Sequence, residues 1–157
     1  MLAVREEIVG RWKVPAVLLD PEDLHLLIQT LGIIGNSVPT SETGKRRLAE
    51  WKQEVAAAAK GARGRTPLDP GWTYSFSAGF SFHLETHGRQ PLDVDNFLKP
   101  TLDALAAGLF CAEGQDPRTI GRYNFDDSNF RYLFVHRLPD ARIVAEEGAA
   151  LVVSVRK

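Results

Sequence analysis

The stretch Trp72-Thr-Tyr74-Ser-Phe76-Ser-Ala78-Gly-Phe80-Ser-Phe82-His-Leu84 places an apolar side chain at every even position and mostly small or polar ones at the odd positions. Successive side chains of a strand point to opposite faces, so this alternation specifies a strand whose aromatic face, including Trp72, Tyr74 and Phe76, belongs to a core. Working toward the N-terminus, the Gly- and Pro-bearing run Gly61 to Gly71 reads as a loop. Before it, Leu48, Trp51, Val55 and Ala59 recur along one face of a helix expected from about Thr43 to Lys60. Gly35-Asn36-Ser37-Val38-Pro39 breaks the chain ahead of that helix. Asp20-Pro21-Glu22-Asp23 followed by Leu24, Leu27, Ile28 and Leu31 predicts a further helix over 20–34, and a short strand near Val14 to Leu19 is expected to join the sheet.

Toward the C-terminus, a turn through Gly88 leads into a helix marked by Leu98, Leu102, Leu105 and Leu109. Asn96 is expected to begin that helix and Pro100 to lie in its first turn, where a missing N–H costs least. A polar stretch then precedes two strands, about Phe130 to Leu138 and Ala149 to Val155. This order predicts an α+β fold: a small mixed β-sheet with helices packed on it, in a single domain spanning 1–157.

The composition is that of an ordinary globular chain: 157 residues, 44% hydrophobic and 25% charged. Disordered, collagenous and coiled-coil classes are excluded. A net charge of −1 gives the whole chain no electrostatic drive toward nucleic acid or an anionic membrane, so any DNA affinity must be local. The single cysteine, Cys111, cannot make an internal disulfide or a Cys-based zinc site and reads as a small buried apolar residue. Arg5-Glu6-Glu7 stands where a signal peptide needs a basic and then an apolar run, and there is no apolar stretch of about 18 residues, so the expectation is a soluble cytoplasmic protein without a membrane partner.

Asp93 and Asp95 stand two apart where an extended segment meets a helix, so both carboxylates can face one point. Converging carboxylates repel unless a proton or a divalent cation neutralises them, and Mg2+ takes a few carboxylates together with water and phosphate oxygens. Lys99 places an ammonium one turn into the helix, suited to charge that grows on a phosphoryl group. Asp126-Asp127 could supply a third acid. The same residues also read as helix-capping and turn chemistry, and spacing alone leaves both readings open.

The run Leu92-Asp93-Val94-Asp95-Asn96-Phe97-Leu98-Lys99-Pro100-Thr101-Leu102-Asp103-Ala104-Leu105 closely resembles the signature of RusA-type Holliday junction resolvases, and Asp126-Asp127-Ser128 looks like the family's following D-D-[SA] element. The resemblance covers about the last two-thirds of the chain. It implies that Asp93, Asp95 and Asp127 are metal-binding catalytic acids holding Mg2+, with Mn2+ able to substitute. Asp126 is the alternative third acid, Lys99 is the essential lysine, and Asn96 and Asp103 provide capping and local support. It further implies a homodimer that places paired symmetric nicks in branched DNA, a four-way junction, leaving 5′-phosphate and 3′-hydroxyl ends in recombination and repair. Two departures from the family pattern are expected. Residues 1–36 form a divergent extension with one helix in place of an opening strand followed by a Pro-rich, Asn-containing segment, and 111–125 is an inserted loop.

Positive charge is concentrated between Lys45 and Arg65, where Lys45, Arg46, Arg47, Lys52, Lys60, Arg63 and Arg65 stand against two acids, net +5. Phosphate contacts dominate nucleic-acid affinity, so this segment and Arg89 are the candidate DNA-binding residues, with Arg118 and Arg122 able to add contacts. A solvated helix face is the competing reading of the same charges. Two other functions remain open: a junction-binding protein with weak or no cleavage, and a metal-dependent phosphohydrolase acting on a small nucleotide.

Overall fold

A computed structural model of the chain describes residues 3–82, 94–112, 130–138 and 147–157. In chain order its elements are β1 (Ala3–Val9), β2 (Trp12–Leu18), β3 (Leu24–Leu31), α1 (Glu42–Arg63), β4 (Thr73–Ser81), α2 (Val94–Phe110), β5 (Tyr132–Arg137) and β6 (Gly148–Arg156). Four strands form a mixed sheet in the order β3-β6-β4-β5. β6 runs antiparallel to both neighbours, while β4 and β5 are parallel. Parallel neighbours need a crossover, and α2, between them in sequence, provides it. The result is a single α+β domain with a small mixed sheet, as the sequence predicts.

The aromatic face of β4 carries the core. Tyr74, Phe76 and Phe80 are buried there together with Trp51, Val55 and Ala59 of α1 and Leu102, Leu105 and Leu109 of α2. The opposite, serine-bearing face of β4 is buried as well, which the alternation alone does not reveal. β1 and β2 form a separate antiparallel hairpin, and its inward residues Val9, Trp12, Val14, Ala16 and Leu18 pack with Ala150, Val152 and Leu138. Small hydroxyls join the layers: the Ser75 hydroxyl donates to the carbonyl of Val17 (2.7 Å), Ser77 Oγ accepts from the Val17 N–H (3.1 Å), and Ser154 Oγ accepts from the Leu19 N–H (3.2 Å). These bonds satisfy backbone groups of β2 and of the residue that follows it, which would otherwise be buried without partners.

Two N-terminal expectations are corrected. The helix predicted over 20–34, and with it the one-helix extension over 1–36, is replaced by strands, since Leu24–Leu31 is β3, paired along its length with β6. Asp20-Pro21-Glu22-Asp23 makes a turn: the Asp23 N–H donates to the Asp20 carbonyl (3.0 Å) and the Glu22 N–H to Asp20 Oδ1 (2.9 Å). An acid that accepts from the residue two ahead serves a turn as readily as a helix cap. The short strand expected near Val14 to Leu19 exists as β2, but it pairs with β1 and does not join the four-stranded sheet.

His136 of β5 lies where the sheet meets the hairpin, hydrogen-bonded to the Pro15 backbone. Its Nε2 is buried without a partner among the described residues. Burial holds its pKa below the usual 6.5, an effect only partly opposed by the Pro15 bond. The neutral ring is therefore favoured in the folded state. Its contribution to stability is complete above the unfolded value near 6.5 and is lost as pH falls toward the lowered folded value. Thermal melts of the wild type should show this acid-side loss of Tm, and His136→Gln should flatten it. A profile unchanged by the substitution would place the acid sensitivity elsewhere.

Candidate active site at the start of helix α2

Phe97 packs against Phe82 with tilted rings whose centroids are 4.9 Å apart, setting the first turns of α2 at the C-terminal end of β4. Phe110, at the other end of the helix, meets Tyr74 near the start of β4 at 5.2 Å, so helix and strand run in opposite directions. The helix already includes Val94, which places Pro100 inside it instead of in its first turn. A proline within a helix leaves the carbonyl four residues earlier without its usual partner. Here that carbonyl belongs to Asn96 and accepts the Ser37 N–H at 2.8 Å, joining the β3–α1 connection to α2 beside Asp95.

A second tie fixes the helices to each other. Trp51 Nε1 donates to Thr101 Oγ1 (2.9 Å), and that hydroxyl donates to the Phe97 carbonyl (2.8 Å). The bond couples the helix bearing the cationic cluster to the helix bearing the acid.

Asp95 and Lys99 line one concavity of about 210 Å³ together with Leu98, Leu102, Asp103 and Leu133. Lys99 Nζ lies 3.7 Å from Asp103 Oδ1. Because Lys99 is largely open to solvent and Asp103 only half-buried, this pair adds little stability, but it aims the ammonium along the helix surface. The concavity joins an exposed hard-oxygen donor, a cation and an apolar wall, a set able to hold a phosphate ester beside a hydrated cation. Leu133 belongs to the strand that Asp126 and Asp127 precede, whereas Phe130 packs near Phe110, at the far end of α2 from Asp95.

Asp93, Asp126, Asp127, Arg89, Arg118 and Arg122 lie outside the described residues, as does residue 113 onward of the insertion expected over 111–125. Among the described residues, no group of three His, Cys, Asp or Glu side chains is placed to hold a metal ion. Cys111 is buried, in keeping with the reading of it as a small core residue. No helix among the described residues is long and apolar enough to cross a membrane.

The cationic residues divide by role. Lys45, Arg46, Lys52, Lys60 and Arg65 are exposed and Arg47 is half-buried. Lys45 pairs with Glu42 at 3.1 Å and Arg46 with Glu50 at 3.8 Å, surface contacts that leave both cations accessible. Arg63 differs from the others: its guanidinium donates to the carbonyls of Gly108 (2.7 Å), Cys111 (3.0 Å) and Gly64 (3.1 Å). It closes the C-terminal end of α2, whose last carbonyls lack intrahelical donors.

No protein-family model matches the chain, and the comparison with curated proteins finds no match.

Proposed function

We propose that the protein is a metal-dependent, structure-selective endodeoxyribonuclease of the RusA kind, acting as a homodimer on four-way DNA junctions. The observation that carries this reading is the shared concavity of Asp95 and Lys99 on a helix joined to α1 through Trp51 and Thr101. β3 and the connection after it, which contains Asn36 and Pro39, are compatible with the strand and Pro- and Asn-containing segment of the family pattern, although β1 and β2 precede them.

Asp95, with Asp93 and Asp127, would hold Mg2+ or Mn2+. The exposed Asp95 carboxylate beside an open concavity suits a hard cation that retains several waters. When bound, such a cation polarises the scissile phosphate and lowers the pKa of an attacking water. Lys99 offsets negative charge that builds on the phosphoryl oxygens, and Asp103 keeps its ammonium on the helix surface. The exposed cations of α1 hold DNA arms by their phosphates. Water adds to phosphorus as the 3′ oxygen leaves and takes up a proton, giving 5′-phosphate and 3′-hydroxyl ends.

Incubating the protein with a synthetic four-way junction, with and without Mg2+, tests the reading. Symmetric paired nicks that require the metal support it. Retarded bands without nicks would assign a binding protein, and neither outcome would point to a small-nucleotide substrate. The α1 contribution has a separate readout. Lys52→Gln should lower the slope of log affinity against log salt by about 0.9, the value of one phosphate contact on duplex DNA. An unchanged slope would remove Lys52 from the interface.

A further inference from the structure

On the side of α2 that carries Asn96 lies a groove of about 560 Å³, walled by the β3–α1 connection, the first turns of α1 and the start of α2. Its size falls in the range of roughly 300–1,000 Å³ typical of small-ligand clefts. Three anchors hold the connection in place. The Ile34 N–H donates to Glu147 Oε1 (3.0 Å), and the Ser37 N–H donates to the Asn96 carbonyl (2.8 Å). Gly35 presses its backbone against α1 so closely that a β-carbon there would stand 2.9 Å from Leu48 Cα. The groove is thus formed before any ligand arrives.

Its polar groups come from three elements and have capacity to spare. Arg47 and the Asn96 carboxamide make no side-chain hydrogen bond or ion pair among the described residues. Asn36 Oδ1 accepts from the Val38 N–H (2.9 Å), which leaves its amide donors available. The α1 cap does not supply the recognition, since the Ser41 hydroxyl is already bonded to the Gly44 N–H (3.0 Å). Exposed Ile33 and Val38 offer apolar surface beside these groups.

Guanidinium suits a phosphate, carboxamides present paired donor and acceptor to a base edge, and aliphatic surface suits a sugar or base face. Asn96 directly follows Asp95 in the helix. Resting on the reading of Asp95 as part of a DNA-cutting site, we propose that this groove receives one unstacked nucleotide next to the scissile phosphate. Arg47 holds its phosphate, and Asn36 and Asn96 read its base. The groove is then a specificity-determining subsite that makes cleavage depend on local sequence.

Backbone amide shifts of isotope-labelled protein, recorded in EDTA during titration with each deoxydinucleotide, test the proposal without requiring catalysis. Expected are saturable shifts at Ser37, Gly44 and Asn96, with one base preferred by about tenfold, the discrimination of a good base-edge contact. Arg47→Ala should weaken all dinucleotides alike, and Asn36→Ala should level the base preference. Asn96→Ala, which disturbs no hydrogen bond of the connection, should level it too and guards against a local folding defect in the first variant. Shifts that avoid the groove, equal affinity for every base, or full displacement by inorganic phosphate alone would overturn the proposal. A protein that nicks junctions with an unresponsive groove sinks only this inference. A base-selective groove in a protein that never nicks sinks only the nuclease reading.

Discussion

Asp95→Asn is expected to slow cleavage of a four-way junction by about a thousandfold, the rate equivalent of roughly 4 kcal/mol of transition-state stabilisation. Asparagine keeps the volume and hydrogen-bonding reach of the side chain but removes the anionic oxygen that a divalent cation requires. Asp95 is exposed in the first turn of α2. Loss of a first-turn acid costs an exposed helix about 0.3–1 kcal/mol at most, which keeps Tm within a few degrees of wild type. Junction affinity measured in EDTA should remain within about threefold, because the proposed phosphate contacts on α1 would carry it. Single-turnover cleavage across a Mg2+ titration, alongside gel retardation, separates these quantities. Undiminished cleavage by the variant would remove Asp95 from the chemistry and with it the proposed site.

The second large effect is on stability, at Gly108→Val. A β-carbon at Gly108 would lie 2.4 Å from the Ala56 carbonyl oxygen and 2.7 Å from the Ala59 β-carbon, both on α1. A backbone carbonyl within a helix has nowhere to move, so α1 and α2 must separate. Overpacking of this kind costs about 1–3 kcal/mol, which in a domain near this size lowers Tm by about 3–10 °C. Separation also strains the Trp51–Thr101 hydrogen bond that couples the cationic helix to Asp95. Junction cleavage should therefore fall even at temperatures where the variant remains folded. Gly61→Ala is the control: its β-carbon would meet nothing within 4 Å, and alanine is the better helix former. Equal melting of Gly108→Val and wild type would show that the helix contact is looser than drawn.

How far the fold could be read from the chain depended on the length over which a pattern persists. In the sequence that contains β4, strict alternation runs through thirteen residues, from Trp72 to Leu84, and fits only a strand. In β3 the eight residues Leu24–Leu31 fit two periods at once. Leu24, Leu27, Ile28 and Leu31 have helical spacing, while Leu26, Ile28 and Thr30 alternate as buried residues of a strand. The choice is made by a non-local partner, since β6 offers a continuous edge that a local pattern cannot announce.

The candidate site divides in the same way. Asp95, Lys99 and Asp103 share a helix surface because their spacing is local, and the sequence suffices to bring them together. Pro100 signals that the Asn96 carbonyl needs a donor, yet nothing nearby in sequence identifies Ser37 as that donor. Arg63 looked like one more phosphate-binding cation because charge counts do not register carbonyls at the end of a distant helix. Asp93, Arg89 and Asp127 belong to the proposed chemistry but lie outside the described residues.

The sheet order β3-β6-β4-β5 also bears on synthesis. β6 follows every other strand along the chain, yet it is the sheet partner of β3 and contributes Ala150 and Val152 to the surface that receives the β1–β2 hairpin. As the polypeptide leaves the ribosome, the first three strands emerge with leucines and valines that have no completed surface to join. Consolidation must wait for a segment made more than a hundred residues later than β3 itself. Such distant pairing makes folding slow relative to helical domains of similar size. It also gives β6 the role of a checkpoint: chains interrupted before it is made lack the surface on which the hairpin packs and the strand that joins β3 to β4.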